Sequence, residues 1–258
     1  MKKLVLAYSG GLDTSYCLKN LSTEGYEVHA VSINTGGFTV DQIKKQEKNA
    51  YSIGANTYIS INALKPFYDK IVKYLIFGNV LKNNTYPLSV SAERIIQAIE
   101  IIEYAKSIGA KFIAHGSTGA GNDQVRFDLI FQVLAPGIEI ITPIRDKQLS
   151  RVAEIEYLKS QGIDLDWKKA QYSINQGLWG TSVGGNETLT SIQSLPDSAY
   201  PSQLIKIKPK KIILSFKSGE LIALNGQNGN PVNLIQQLQD IAKDYAIGRD
   251  IHVGDTII

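Results

Sequence analysis

Short apolar runs alternate with longer amphipathic ones over the first 160 or so positions. Lys2 to Tyr8, Glu27 to Ile33, Asn56 to Ile61, Lys111 to His115 and Glu139 to Thr142 are brief and rich in Val, Ile and Leu, the signature of buried strands. Between them, Thr14 to Thr23, Asp41 to Ile53, Leu64 to Phe77, Ser91 to Ile108 and Val152 to Gln161 read as helices, with a further short helix around Arg126. Ser91 to Ile108 has the strongest helical pattern: Ile95, Ile99, Ile102 and Ala105 recur at spacings of three and four, and Gly109 follows as a C-cap. Pro66 falls in the first turn of its helix, where a missing N–H costs nothing. Strand and helix in strict alternation predict an α/β fold, a doubly wound, mostly parallel sheet covered on both faces.

Beyond about Gly162 the texture changes. Gly177, Gly180, Gly184 and Gly185 punctuate a polar stretch, and Pro196 to Pro209 reads as a linker. Lys211 to Phe216 and Leu221 to Leu224 form a hairpin pattern around Ser218-Gly219, followed by a helix from Asn233 to Tyr245. The expected division is a domain over residues 1–164 and a second, smaller α+β domain over 165–258.

With 258 residues, 43% of them hydrophobic, the chain has ample apolar surface for a core. The formal charge of +3 comes from 27 basic and 24 acidic side chains dispersed along the sequence, so neither a nucleic-acid nor a membrane surface is indicated. The Lys206 to Lys211 cluster reads as a solvated linker. Cys17 has no second cysteine to pair with, and the three histidines, His29, His115 and His252, form no zinc-ligand spacing. His29 and His252 lie in strand-like patterns and read as structural. A reducing compartment, the cytoplasm, is expected; the apolar run at the N-terminus ends after a few residues and is needed as the first strand.

Two glycine-rich turns carry the candidate chemistry. Ser9-Gly10-Gly11-Leu12-Asp13-Thr14-Ser15 joins the first strand to the first helix. Gly10 and Gly11 let backbone amides approach a ligand, the first-turn N–H groups of the helix lack internal partners, and Ser9, Thr14 and Ser15 add donors, which suits a phosphate chain. An ordinary strand-to-helix turn capped by Asp13 or Thr14 is the plainer reading. No lysine follows until Lys19, so this is not a Walker A loop, nor is it a Gly-x-Gly-x-x-Gly dinucleotide turn. The second turn, Gly116-Ser-Thr-Gly-Ala-Gly-Asn-Asp123, follows the fourth strand. Turns after the carboxyl ends of different strands converge at one edge of a doubly wound sheet, where such sheets hold ligands.

The first turn resembles the pyrophosphate-binding (PP) loop of ATP pyrophosphatases. Together with His115-Gly-Ser-Thr-Gly-Ala-Gly-Asn-Asp-Gln-Val-Arg126, and with Tyr86 to Arg94, Tyr172 to Ser182 and Gly248 to Asp255, it resembles the argininosuccinate synthase family. The resemblance implies an adenine nucleotide alpha hydrolase-like fold and a ligase that joins citrulline and aspartate at the expense of ATP, with Mg²⁺, releasing AMP and pyrophosphate. It implies nucleotide contacts from Ala7, Tyr8, Ser9, Gly10, Gly11, Asp13, Thr14, Ser15, Ile33, His115 and Gly116. Thr118, Asn122 and Asp123 would hold aspartate, and Tyr86, Ser91, Asn122, Arg126, Ser173 and Ser182 citrulline. Arg126 suits a carboxylate because its planar donors bond two oxygens at once.

The same resemblance places Asp13 and Asp123 in the catalytic step, Asp123 to orient or deprotonate the attacking amine, although a carboxylate accepting loop N–H bonds is an equally ordinary role. No protein metal site is expected. Structural roles stand beside several of these: Arg126 paired with Asp128, Tyr86 as a half-buried ring before Pro87, His115 donating to a loop carbonyl. Many family members carry a lysine where this chain has Ala120. Family chains also continue beyond the equivalent of Ile258, through a long C-terminal helix that embraces neighbouring subunits in a homo-tetramer, so a truncated chain is expected here. A nucleotide-binding fragment with little turnover, or another PP-loop enzyme such as one that modifies tRNA, are the competing expectations.

Overall fold

The computed structural model describes residues 2–119, 121–165, 172–190 and 192–252. They group into two compact units, one within 1–63 and 93–169, the other within 64–92 and 170–256. Residues 64–92, read from the sequence as part of the first domain, instead belong with the second unit, because their contacts are made there: the Trp179 indole donates to the Pro87 carbonyl at 2.8 Å, and Gly219 lies against the Phe77 ring.

The first unit begins β1 (Lys2–Ala7), α1 (Leu12–Thr23), β2 (Tyr26–Asn34), α2 (Val40–Ile53), β3 (Thr57–Asn62). The chain then leaves it for α3 (Leu64–Phe67), a π-helical turn (Tyr68–Val72) and α4 (Lys73–Phe77). The single helix expected over 64–77 is thus interrupted by one wide turn. It returns through α5 (Ser89–Ser107), β4 (Phe112–Ala114), α6 (Asp123–Leu134), β5 (Glu139–Ile141), the short α7 (Pro143–Asp146) and α8 (Arg151–Ser160).

The five strands form one parallel sheet in the order β3-β2-β1-β4-β5. Side chains alternate across it with period two. Leu4, Leu6, Val28, Ala30 and Ala114 pack into a cluster with Leu18 and Leu21 of α1, Ala50 and Ile53 of α2 and Leu158 of α8. His29 faces the other way and bonds the Tyr104 hydroxyl of α5 at 2.9 Å. On α5 the fully buried positions are Ile96, Ala98, Ile101, Ile102 and Ala105, whereas Ile95 and Ile99 are half-buried, because a helix covering a sheet buries a wider stripe than one line of threes and fours. Gly109, at φ +68°, ends it as expected: its own N–H and that of Ala110 take the carbonyls of Lys106 and Ala105.

The second unit contains a hairpin, β6 (Ser173–Gly177) with β7 (Gly180–Gly184), and a three-stranded antiparallel sheet of β8 (Leu214–Lys217), β9 (Glu220–Leu224) and β10 (Gln227–Asn228). Helix α9 (Pro231–Ala242) buries Leu234 against Leu221 and Leu224, and its N-terminus is capped by Asn230 Oδ1, which accepts from the Asn233 N–H at 3.0 Å. Residues 206–211 are exposed, with Lys206 paired to Asp244 at 2.6 Å. His252 lies in no strand; its ring stacks on that of Tyr86, centroids 4.9 Å apart. No helix among the described residues is long and apolar enough to cross a membrane.

The turn between β8 and β9 is Ser218-Gly219, with φ of +51° and +84°, the left-handed pair that matches the twist of a two-residue hairpin. A Cβ on Gly219 would sit 2.9 Å from the Phe77 ring. Gly219→Ala is expected to destabilise the second unit by about 1–2 kcal/mol in denaturant titration.

Candidate functional site

Strand β1 is the point at which the winding reverses: the chain moves from β1 outwards to β2 and β3, then returns to place β4 on the other side. Loops leaving the carboxyl ends of β1 and β4 are therefore neighbours. They touch. A Cβ on Gly116 would lie 3.2 Å from the Asp13 carbonyl carbon, the Asp13 Cβ and the Thr14 nitrogen, so the second loop rests directly on the start of α1.

The first loop is held from below. Tyr8 extends the ladder by donating its N–H to Val31, while its carbonyl accepts from buried Ser32 Oγ at 2.7 Å. Gln46 of α2, buried to 8% exposure, donates Nε2 to the Ser9 carbonyl at 2.9 Å and accepts from the Tyr58 hydroxyl at 3.1 Å. Gly10 has φ +77°, and a Cβ there would meet Gln46 Cγ at 2.9 Å, so this brace and the turn both require glycine. Gly11, not Asp13 or Thr14, is the N-cap of α1, and no side chain caps it. Thr14 Oγ1 donates to the Gly11 carbonyl at 3.2 Å and lies 3.2 Å from Ser9 Oγ. That leaves the first-turn amides of a twelve-residue helix without side-chain partners at an exposed edge, an anion-binding arrangement.

The nucleotide residues expected from the resemblance divide by depth. Ser9 and Gly11 are exposed; Ala7, Gly10, Asp13 and Thr14 are partly so. Tyr8, Ser15, Ile33, His115 and Gly116 are buried. The Ser15 side chain is fully enclosed, its Oγ without a hydrogen-bond partner among the described residues, and its N–H goes to the Gly11 carbonyl. It lies beneath the loop. Burial raises the Tyr8 phenol to about 12, partly offset by the nearby Ser15 hydroxyl.

His115 does not donate to a loop carbonyl. Its Nδ1 accepts the Ser117 N–H at 3.2 Å, which puts the ring proton on Nε2, and Nε2 donates to Asp128 Oδ1 at 2.9 Å. Arg145 Nη1 donates to the other Asp128 oxygen at 2.6 Å and to Gln124 Oε1 at 3.2 Å, and Gln124 Nε2 returns to the Gly119 carbonyl at 2.7 Å. Burial would raise the Asp128 carboxyl, but the His115 and Arg145 hydrogen bonds outweigh it and hold it below its ordinary value. This chain of contacts fixes the second loop. Thr118 and Gly119 are exposed at its tip, and Ala120 lies outside the described residues.

Asn122 is the N-cap residue of α6, and Asp123 opens the helix. Arg126 pairs with Asp123, not with Asp128: its Nη1 donates to Asp123 Oδ1 at 2.9 Å, while Arg94 Nε of α5 donates to Oδ2, also at 2.9 Å. With both oxygens engaged, Asp123 is oriented by two guanidinium groups. Beside it Glu93 is buried to 3% exposure with Oε1 unpartnered among the described residues.

The remaining expected residues lie in the second unit. The half-buried Tyr86 hydroxyl accepts the N–H groups of Val90 at 3.1 Å and Ser91 at 3.4 Å, capping the start of α5 and leaving its own proton to donate. Ser173 and Ser182 face the same way on the β6–β7 hairpin, since Asn175 pairs with Ser182 and Ser173 lies two residues before Asn175. The hairpin tip is tied to the start of α5 by the Trp179–Pro87 bond and by Gly180 against Ser89. Gln46, Arg94, Asp128 and Arg145 were not foreseen as site residues; among them only Arg94 lay in a segment marked by resemblance.

Burial raises the Glu93 carboxyl to about 7, with Arg94 opposing and Asp123 reinforcing the shift. An unfolded chain releases this proton near the ordinary value of 4.5, the folded protein only near 7. The contribution is therefore complete below about pH 4.5 and is lost as pH rises to 7 and beyond, by up to on the order of 3 kcal/mol. Thermal melts are expected to show this decline in the wild type and a flatter profile in Glu93→Gln.

A family model described as the arginosuccinate synthase N-terminal HUP domain matches residues 3–164. Among curated relatives, the argininosuccinate synthase of Methanocaldococcus jannaschii is 38% identical, over 98% of this chain and 65% of that protein. The corresponding proteins of Sulfurisphaera tokodaii and Pyrococcus furiosus are 36% and 37% identical, over 99% and 98% of this chain and 66% and 62% of theirs. The chain thus spans slightly less than two thirds of the length of these relatives.

Proposed function

The chain belongs to the argininosuccinate synthase family, and from that we propose that it acts in ATP-dependent ligation of L-citrulline and L-aspartate to argininosuccinate, a step of arginine biosynthesis. The observation that carries this is the contact of Gly116 with the Asp13–Thr14 backbone, which sets two glycine-rich loops side by side at the switch point of the sheet.

The ureido oxygen of citrulline is a poor nucleophile and a worse leaving group. It attacks the α-phosphorus of ATP, pyrophosphate departs, and the amine of aspartate then displaces AMP from the citrullyl-adenylate. No covalent enzyme intermediate is needed, so positioning and charge stabilisation supply the rate. The amides and hydroxyls of Ser9 to Thr14 would take the phosphates, with buried Ser15 supporting the loop from beneath, and Ala7 and Ile33 would border the adenosine. Mg²⁺ would enter together with those phosphates, as the family resemblance implies.

Thr118, Asn122 and Asp123 would receive aspartate. The two-arginine clamp suits Asp123 to orienting an ammonium group. For citrulline, the family resemblance proposes Tyr86, Ser91, Asn122, Arg126, Ser173 and Ser182 as contacts. The Tyr86 hydroxyl, already accepting two amides, is disposed to donate to a carboxylate. A cytoplasmic setting, which keeps buried Cys17 reduced, and assembly into a homo-oligomer complete the proposal.

Incubation with citrulline, aspartate and Mg·ATP is expected to yield AMP and pyrophosphate in amounts that require both amino acids. Bound ATP with no AMP formed would instead mark a nucleotide-binding unit that lacks turnover. Gly116→Ala is expected to weaken ATP binding by about tenfold or more, because a methyl group there forces the two loops apart, while circular dichroism stays unchanged.

A further inference from the structure

Helix α2 reaches the phosphate loop through one buried side chain, that of Gln46. The Ser9 carbonyl can only accept, so the Gln46 atom 2.9 Å from it is the amide nitrogen, and the Tyr58 hydroxyl, 3.1 Å from Oε1, must donate. Turning the amide over would set two acceptors against each other. Tyr58 belongs to β3, so Gln46 is tied to the sheet at one end of its amide and to the loop at the other. Its Cγ also closes off the space beside Gly10, where a Cβ would lie 2.9 Å from it.

We propose that Gln46 is a positioning residue of the phosphate loop, which, by holding the Ser9 carbonyl, aims the Gly10 N–H for an anion. The peptide unit joining Ser9 to Gly10 is planar and trans, so its carbonyl and its N–H point in opposite directions. With the carbonyl directed at Gln46, the Gly10 N–H is turned away from α2, and it makes no hydrogen bond among the described residues. The next amide, that of Gly11, has only a long contact of 3.4 Å with Ser9 Oγ. Both therefore remain available beside the uncapped first turn of α1. Glycine at position 10 makes the brace necessary: the turn needs its φ of +77°, but a residue without a Cβ offers little resistance to rotation of the peptide unit before it. An anion site built from amides works only when the amides are already oriented. The binding consequence rests on the ATP reading above, whereas the fixed peptide does not.

Magnetic resonance of the ligand-free, isotope-labelled protein is expected to give the Gly10 amide an order parameter of about 0.85 in the wild type and below about 0.6 in Gln46→Met, which keeps the volume but has no amide. Calorimetry is expected to show Mg·ATP bound about tenfold more weakly by Gln46→Met, with circular dichroism unchanged. A glutamine that serves only the fold would lower the melting temperature of the variant and nothing else. An unchanged Gly10 amide, or Mg·ATP bound as tightly as by the wild type, therefore overturns the proposal. If Gln46→Met does not fold, Tyr58→Phe, which loses only the hydroxyl holding Oε1, is expected to bind Mg·ATP about threefold more weakly, and wild-type affinity in it overturns the proposal instead. A Gly10 amide loosened in Gln46→Met, with no Mg·ATP bound by either protein, would refute the ATP reading and leave the brace standing.

Discussion

The closeness of Gly116 to the backbone of Asp13 and Thr14 is the constraint on which the site depends. It follows from topology: β1 is central, β2 and β4 flank it in parallel, and chain direction puts both following loops at one edge. Topology brings the loops near one another, and they approach so closely that a Cβ added to Gly116 would lie 3.2 Å from the Asp13–Thr14 backbone, which favours a residue with no side chain there. A Cβ at Gly116 would need the start of α1 or the loop itself to give by a few tenths of an ångström, and α1 is fixed by Leu12, Cys17, Leu18 and Leu21 in the core. Packing behind the site therefore dictates the distance across it.

Each loop is then immobilised by polar groups that the core has already paid to desolvate. Gln46 and Tyr58 hold the Ser9 carbonyl from beneath, and His115, Asp128, Arg145 and Gln124 form a relay that ends on Gly119. A buried network of this kind adds little net stability, because desolvation offsets most of what the bonds return. Its effect is geometric. Loop backbones without regular hydrogen bonding otherwise sample many conformations, and an anion site made of amides works only if the amides are already aimed.

The sheet and most of its helices were legible in the sequence because a parallel sheet buries both faces, and runs such as Leu4 to Ala7 and Val28 to Ile33 carry that demand openly. The two loops were legible because glycine is needed where backbone must approach backbone. The membership of residues 64–92 in the second unit was not, since it is decided by single distant contacts such as Trp179 to Pro87. The β6–β7 hairpin was hidden because Ser173, Asn175, Gln176, Thr181 and Ser182 give it no apolar alternation. Gln46, Asp128 and Arg145 could not be singled out either. A buried glutamine or a paired arginine looks like any surface residue until the fold supplies its partner.

Four carboxyl groups behind the two loops show how one chain reconciles acidic side chains with a site shaped for anions. Asp123 is held by Arg94 and Arg126, and Asp128 by His115 and Arg145, so each negative charge has donors on both oxygens. Glu93 and Glu154 lie deeper, each with one carboxyl oxygen unpartnered among the described residues; burial raises both to about 7, which favours the protonated acid. The distinction is one of depth: a partly exposed carboxylate is neutralised at modest cost by a guanidinium that stays half in water, whereas a fully enclosed one would require a second enclosed ion. Protonation needs no additional side chain. It does tie the electrostatics of the site to pH, and places that dependence near neutrality, because desolvation and a neighbouring carboxylate together move an ordinary acid by about that much.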